Sequence, residues 1–387
     1  MISEAPQSRH DLDTLALTHG STQPVRVLHF VTGGFSGATQ VAVDLASASL
    51  AGHRVEPLLV LRRKRNTDSA RVQALRDQGL AVRVVPGWSH LATIWALAKI
   101  CRDFKPEVLV AHGFPEHLLG RHAGLWAGVK ALVQVEHNTR ERYTRWRLAQ
   151  ARWLSARTAW LVGVSEGVRC RLVELGFPKA KTLAIPNGIR MEPFADAELH
   201  AYEARIPGIV MSARFARQKD HLTLIRAIAL LKAQGLTPPV LLAGGGKASL
   251  RAEAEAEVAR LGLQGQVRFL GHHKGVPELL MTQQICVLST HWEGMPLSLV
   301  EGMAAGCAVV GSAVPGVQEL IIDQVTGFLV PEGDAKALAD VLSELLRDPG
   351  LGSRVAQAAR RRALEEHGLA LMTQRYEDLL VGLAAKA

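Results

Sequence analysis

From Val25 onward the chain alternates short, uninterrupted apolar runs with helix-length segments. Val25–Val31, Val55–Leu61, Val82–Val85, Val108–Ala111, Ala131–Val135, Ala159–Val164 and Thr182–Ile185 read as strands. Runs that are apolar on both faces and separated by helices predict a parallel sheet covered on both sides. A second series begins near Gly208, with Ile209–Ser212, Val240–Ala243, Val267–Gly271, Ile285–Leu288, Ala308–Gly311 and Gly327–Val330. Between the two series, residues 191–207 carry Pro193 and Pro207 and no clear strand, so they read as a linker. The expected fold class is therefore α/β, with two doubly wound domains over 25–190 and 208–366. Residues 1–24 read as a disordered tail, and 367–387 as a C-terminal helix crossing back to the first domain. Open parallel sheets present loops and helix N-termini at the carboxyl ends of their strands, so ligands are expected in a cleft between two such edges.

Composition narrows the class. The 387 residues suffice for two or three domains, and 48% hydrophobic with 21% charged residues excludes a disordered or fibrous chain. Cys101, Cys170, Cys286 and Cys307 are widely spaced and form no C-x-x-C pair, which gives no basis for a disulfide framework or a structural zinc site. No apolar run reaches the length of a membrane span, and His10, Asp11, Asp13 and His19 stand where a signal peptide needs apolar residues, so a cytoplasmic location is expected. Residues 1–200 hold 26 basic and 17 acidic side chains, whereas residues 201–387 hold 19 of each. The whole net charge of +9 thus sits in the first half, which points to an anionic partner for that half alone.

The densest chemical signal is the stretch from His291 to Glu301 after the strand Ile285–Leu288. Pro296 suits the first turn of a helix, where its missing N–H is no loss. The amides of Leu297 and Ser298 would then be open donors at a positive helix end, suited to a diphosphate. Glu301, on the second turn, could accept two hydrogen bonds from a vicinal diol such as a ribose, and Glu293 lies on the loop before it. Arg214 and Lys219 follow the first strand of the second domain and could converge on phosphate oxygens. Gly244-Gly245-Gly246 follows the next strand, and Pro315-Gly316 with Glu319 follows the strand at Ala308. Four strand ends thus carry anion-suited or glycine loops.

On these residues the chain, from about Val25 to Leu380, resembles the retaining GT-B glycosyltransferases of family 4, group 1 type, which include bacterial polysaccharide and lipopolysaccharide enzymes. Glu293 and Glu301 match that family's Glu-x7-Glu motif, which implies Glu301 on the donor ribose and Glu293 against the transferred sugar. Arg214 and Lys219 match its diphosphate clamp, Gly33, Gly34 and Gly37 its N-terminal glycine loop, and His137 its histidine after the fifth strand. Pro186-Asn187-Gly188 matches the motif closing its first domain. The resemblance implies a GT-B fold with two Rossmann-like domains facing a central cleft. Its catalytic set would be His137, Glu293, Arg214 and Lys219. Its donor-binding set would be Gly33, Gly34, Gly37, Gly244, Gly245, Met295, Pro296, Leu297, Ser298 and Glu301. It further implies a nucleotide-diphosphate sugar as donor, UDP-sugar favoured, and a glycan or lipid-linked acceptor. Gly244-Gly245-Gly246-Lys247 stands where the family often has Gly-Asp-Gly-Pro, Pro315-Gly316 where it often has Gly-Gly, and Asn138 where it often has Asp.

Other motifs read as weaker. Thr32-Gly33-Gly34-Phe35-Ser36-Gly37 lacks the first glycine of a dinucleotide fingerprint, and the second strand ends in Arg62-Arg63-Lys64-Arg65, not in an acid for an NAD ribose. Gly163-Val164-Ser165-Glu166-Gly167 matches a nucleophile elbow, but Ser165 reads as a helix N-cap in a two-domain chain. Gly246-Lys247-Ala248 lacks both the earlier glycine and the Ser or Thr of a P-loop. No metal is required by anything visible: Asp11-Leu12-Asp13 lies in the tail, Glu253, Glu255 and Glu257 lie on one helix, and His272-His273 has no partners at ligand spacing. Arg140–Arg157 concentrates arginines with Tyr143, Trp146 and Trp153 and could lie on an anionic membrane, on the inner face of the cell membrane, or pack as a solvated helix. No recognition module supports nucleic-acid binding. The alternatives to a transferase are a nucleotide-sugar epimerase of the same fold and a catalytically silent carbohydrate-binding or assembly protein.

Overall fold

The computed structural model describes residues 23–140 and 143–386. Residues 1–22 of the expected tail, with Asp11 and Asp13, and Arg142 of the basic segment lie outside the described residues. The chain forms two compact units: residues up to Asn187 together with those from Leu369 onward, and Gly188–Gly368.

In the first unit the strands are β1 (Val25–Thr32), β2 (Val55–Arg62), β3 (Ala81–Val85), β4 (Val108–His112), β5 (Ala131–Glu136), β6 (Trp160–Gly163) and β7 (Thr182–Ala184). They pair in parallel in the order β3-β2-β1-β4-β5-β6-β7. The helices between them are α1 (Gly37–Gly52), α2 (Ser69–Asp77), α3 (His90–Phe104), α4 (Glu116–Ala127), α5 (Arg145–Ser155) and α6 (Glu166–Glu174). Order reverses between β1 and β4, the doubly wound switch point. One core layer joins Leu28, Phe30, Leu58 and Leu109 of the strands to Leu97, Ala98 and Cys101 of α3 and to Leu119 and Ala123 of α4. Each such large side chain taken out of water contributes about 1.5–3 kcal/mol. The sheet's apolar runs are continuous because helices cover both its faces.

The second unit repeats the plan with β8 (Ile206–Ser212), β9 (Val240–Ala243), β10 (Val267–Gly271), β11 (Gln283–Leu288), β12 (Ala308–Ser312) and β13 (Phe328–Val330), in the order β10-β9-β8-β11-β12-β13. Its helices are α7 (His221–Ala233), α8 (Ala248–Arg260), α9 (Val276–Met281), α10 (Leu297–Ala304), α11 (Pro315–Gln318), α12 (Ala335–Arg347) and α13 (Pro349–Glu366). The segment expected as a linker is instead part of this unit. It forms 3-10 turns at Glu192–Leu199 and Tyr202–Ala204, buries Phe194, Ala197 and Tyr202, and leads into β8, which starts at Ile206. The physical reason is Arg205, whose guanidinium donates to the carbonyls of Ala197, His200, Ala305 and Gly306 and ties the turns to the end of α10.

The final helix, α14 (Leu369–Ala385), belongs to the first unit. It packs on α1, and the Arg54 guanidinium donates to Asp378 at 2.8 Å.

Candidate functional site

In the second unit, two loops at the carboxyl ends of β8 and β11 are zipped together. Asp220 N–H donates to Ser289 O at 3.0 Å, His291 N–H to Gln218 O at 2.9 Å, and Ser289 Oγ to Asp220 O at 2.6 Å. This zipper places Lys219 against Glu293, and the two side chains form an ion pair, hydrogen-bonded Nζ to Oε1. Thr290 Oγ1 donates to the same oxygen at 2.8 Å, and Gln218 Nε2 to Oε2 at 3.0 Å. Glu293 is buried, and donors from Lys219, Thr290 and Gln218 hold its carboxylate in place.

The loop is backed from below by Gly316. A Cβ there would stand 2.3 Å from Gly294 O and 2.8 Å from Glu293 O, so no other residue fits without moving the Glu293 backbone. Gly244 is required for a similar internal reason: its Cβ would lie 2.0 Å from Ala213 O, whereas Gly245 has open space around it. The glycine loop thus packs on the chain's own residues 213–215, with Phe215 N–H donating to Gly245 O at 2.7 Å. Arg214 is exposed between these loops and makes no hydrogen bond or ion pair among the described residues.

Met295 and Pro296 are buried and lead into α10, with Pro296 at the N-cap position, one residue before the helix instead of inside its first turn. Leu297 and Ser298 open the helix, half-buried, with first-turn amides facing out of the helix end. Glu301 is half-buried on the second turn.

In the first unit, Gly33 sits at the carboxyl end of β1 with its N–H on Arg62 O at 2.8 Å. A Cβ on Gly33 would meet that oxygen at 2.7 Å, while Gly34 and Gly37 have room around them. Ser36 caps α1, and its N–H donates to Thr39 Oγ1 at 3.2 Å. His137 follows β5 and stacks on His112 with ring centroids 5.6 Å apart, and His112 stacks on His29 at 5.4 Å. His29 Nδ1 and His112 Nε2 share a hydrogen bond of 3.1 Å. Burial pushes both His29 and His137 down to about 4, and pushes His112 well below its ordinary value, so the stack is neutral near pH 7. Among the described residues, His137 Nε2 is buried without a hydrogen-bond partner, while the His137 backbone N–H donates to Glu136 Oε1 at 3.0 Å.

Behind His137 lies a buried polar chain that composition and motif do not reveal. Arg121, fully buried, donates to the His117 carbonyl at 3.0 Å and to Thr158 Oγ1 at 3.1 Å, and its other end lies 2.8 Å from His117 Nδ1. His117 Nε2 lies 2.8 Å from the Tyr143 hydroxyl, which reaches Glu136 Oε2 at 3.5 Å. The guanidinium makes Nδ1 the acceptor, which leaves the proton on Nε2. A second missed cluster is Glu116, whose buried carboxylate is shared by Arg62 and Lys64, each at 3.3 Å. Only the odd placement of His29 and His112 inside apolar strands could have signalled the histidine stack from sequence.

Ser165 caps α6 by accepting from Val168 N–H at 3.2 Å, as its N-cap reading expects. Glu257 is bound by Arg226 at 2.9 Å and Arg260 at 2.7 Å on the surface of α8. Among the described residues no three His, Cys, Asp or Glu side chains cluster as metal ligands, and no helix is long and apolar enough to cross a membrane.

Two doubly wound parallel units, with the loops at their strand ends carrying these residues, define the GT-B class. The family models for "Glycosyltransferase Family 4" and "Glycosyl transferases group 1" match residues 35–192 and 203–362. The chain belongs to this glycosyltransferase family. It is 28% identical over 239 residues to the amylovoran biosynthesis glycosyltransferase AmsK of Erwinia amylovora, a match covering 60% of this chain and 58% of that one. It is 22% identical over 309 residues to the UDP-Gal:alpha-D-GlcNAc-diphosphoundecaprenol alpha-1,3-galactosyltransferase of Escherichia coli, covering 76% and 80%. The solved structure of Anabaena Alr3699/HepE in complex with UDP and glucose superposes with a TM-score of 0.79 at 21% identity, covering 92% of this chain and 99% of that one.

Proposed function

We propose that the protein transfers a sugar, with retention of anomeric configuration, from a nucleotide-diphosphate sugar to a glycan or lipid-linked acceptor of bacterial cell-surface polysaccharide. The observation that carries this reading is the Lys219–Glu293 pair, held by Gln218 and Thr290 beside the loop that feeds α10. Lys219 keeps further N–H donors for a phosphate oxygen while one is engaged by Glu293. Exposed Arg214 and the first amides of α10 add positive character, and together they meet the charge that builds on the leaving diphosphate. With that charge met by protein groups, the reaction needs no metal.

Glu301 holds the ribose diol, and Glu293 orients the transferred sugar. His137, neutral and with its buried Nε2 unpaired among the described residues, hydrogen-bonds a sugar hydroxyl once the donor reaches it. The leaving phosphate takes the acceptor proton on the same face, so no separate base is required. UDP is the favoured nucleotide, supported by the UDP-bearing neighbour and the UDP-galactose relative. The basic segment Arg140–Arg157 serves the acceptor by meeting an anionic membrane from the cytoplasmic side.

The test is nucleotide release from a panel of donors with and without acceptor extract, with the anomeric configuration of the product read by NMR. Release that depends on acceptor and yields the retained anomer supports the proposal, and an inverted product, an isomerised donor or no turnover overturns it. His137→Ala is expected to cut transfer while leaving nucleotide affinity nearly intact.

A further inference from the structure

Tryptophan is among the most buried residue types on average, yet five of the seven in this chain are exposed: Trp88, Trp95, Trp126, Trp146 and Trp153, at 84%, 56%, 55%, 78% and 49%. All five lie on α3, α4 or α5 or in the turn leading into α3.

Contacts between these helices place Trp126 and Trp153 on one face. The Arg102 guanidinium of α3 lies over the Trp126 ring of α4 at 5.1 Å. His122 of α4 stacks on Trp153 of α5 at 6.0 Å, and Gln150 Nε2 reaches His122 Nε2 at 2.8 Å. Arg157 lies over the same Trp153 ring at 4.0 Å. Helical spacing extends the face in both directions. Leu91, Trp95, Lys99 and Arg102 recur on the exposed side of α3, His122 and Trp126 are one turn apart on α4, and Trp146 and Trp153 are two turns apart on α5. The opposite side of α3, with Thr93, Leu97, Ala98 and Cys101, already fills the core, so among the described residues the outer apolar stripe has no packing role.

The charge of this face is one-sided. Residues 88–157 contain eleven Lys and Arg against five Asp and Glu, and of these Arg121, Glu116 and Glu136 are buried. Indole rings rimmed by guanidinium and ammonium groups suit the boundary where acyl chains meet anionic headgroups, because the ring enters the apolar layer while its N–H and the cations reach phosphate.

We propose that the α3–α4–α5 face binds the surface of an anionic lipid bilayer, with Leu91 and the exposed tryptophans at the headgroup boundary. This goes further than a contact through Arg140–Arg157 alone, and it rests on the reading that the acceptor is presented at a membrane. Charge complementarity selects the bilayer over a second copy of the chain, whose identical face would bring like charges together.

The experiment uses the full chain with vesicles of phosphatidylglycerol and phosphatidylcholine, or of phosphatidylcholine alone, sedimented at low and high salt. The protein is expected to pellet with the anionic vesicles at low salt, and its tryptophan fluorescence to be quenched by brominated lipid. Trp95→Ser with Trp126→Ser is expected to weaken binding about tenfold or more, and Arg102→Gln with Arg145→Gln and Arg157→Gln to remove most of the salt-sensitive part. Quenching is read on the native chain and does not depend on any variant folding. Native protein left in the supernatant at low salt, absence of quenching, or undiminished binding by the tryptophan variant overturns the proposal. Self-association that the tryptophan variant abolishes, without pelleting, assigns the face to a second copy and also overturns it. Turnover on a water-soluble acceptor without pelleting defeats this inference and leaves the transferase reading standing, whereas pelleting without turnover does the reverse.

Discussion

Lys219 and Glu293 are 74 residues apart in sequence and form an ion pair in which the ammonium donates to a carboxylate oxygen that Thr290 also reaches. Both side chains are largely shielded from water, at 14% and 6% exposure. Each charge compensates the desolvation of the other, so removing one leaves the other stranded. Glu293→Gln and Lys219→Met are each expected to destabilise the second unit, by about 1–3 kcal/mol, and the double variant by less than the sum. Denaturant melts of the four species measure the coupling. Strict additivity would mean that the pair carries no interaction energy.

The same loop depends on Gly316, where a methyl group would collide with Gly294 O. Gly316→Ala is expected to shift the Glu293 backbone, lower stability by about 1–3 kcal/mol and cut turnover together with it. A variant with native melting temperature and native activity would show that the loop yields without consequence.

Glu301→Gln tests the ribose contact. An amide accepts at only one of its two terminal atoms, so a diol held by both carboxylate oxygens loses a charge-assisted hydrogen bond. Nucleotide diphosphate affinity, read by calorimetry, is expected to fall about tenfold. Unchanged affinity places the ribose elsewhere.

Arg214 is exposed and bonds to none of the described residues, so Arg214→Ala is expected to leave the melting temperature within about 1 °C of native. If its charge meets the leaving phosphate, kcat falls about 10²-fold or more. A loss of activity fully explained by unfolding would remove Arg214 from the chemistry.

Four histidines of the first unit, His29, His112, His117 and His137, are held below the ordinary value of 6.5 by burial. Between about pH 6.5 and pH 4 the unfolded chain binds protons that the folded chain does not, so stability falls as pH drops through that window. Above pH 6.5 both states are neutral at these sites and their contribution is complete. Each such histidine adds about 1.4 kcal/mol per pH unit to the slope at its steepest. Unfolding followed from pH 7.5 to 4.5 is expected to show this decline, shallower in His112→Asn. A flat profile across the window would mean that the buried rings are protonated in the folded state.

Where the information resides in the chain differs from feature to feature. All thirteen strands were legible as apolar runs, the central ones because a strand buried on both faces must be apolar along its whole length, while the edge strands β3 and β10 keep apolar runs around exposed Arg83 and Arg268. The positions of Glu293, Glu301, Arg214 and Lys219 were legible too, because loops at strand ends follow directly from the strands. Local sequence also showed that Trp146 and Trp153 share a helix face. Partnership was not legible. That Lys219 meets Glu293, that Gly244 and Gly316 serve the chain's own backbone, and that residues 191–207 fold onto the second unit all depend on contacts between segments far apart in sequence. The histidine stack and the Arg121–His117–Tyr143 chain arise for the same reason: parallel order places β1, β4 and β5 side by side, and no local pattern encodes which buried polar groups then meet. Sequence determined the elements and their chemistry through local periodicity. Tertiary structure alone decided which charges face one another and which helices bring their tryptophans together, because those follow from packing geometry and not from the order of residues along one strand or helix.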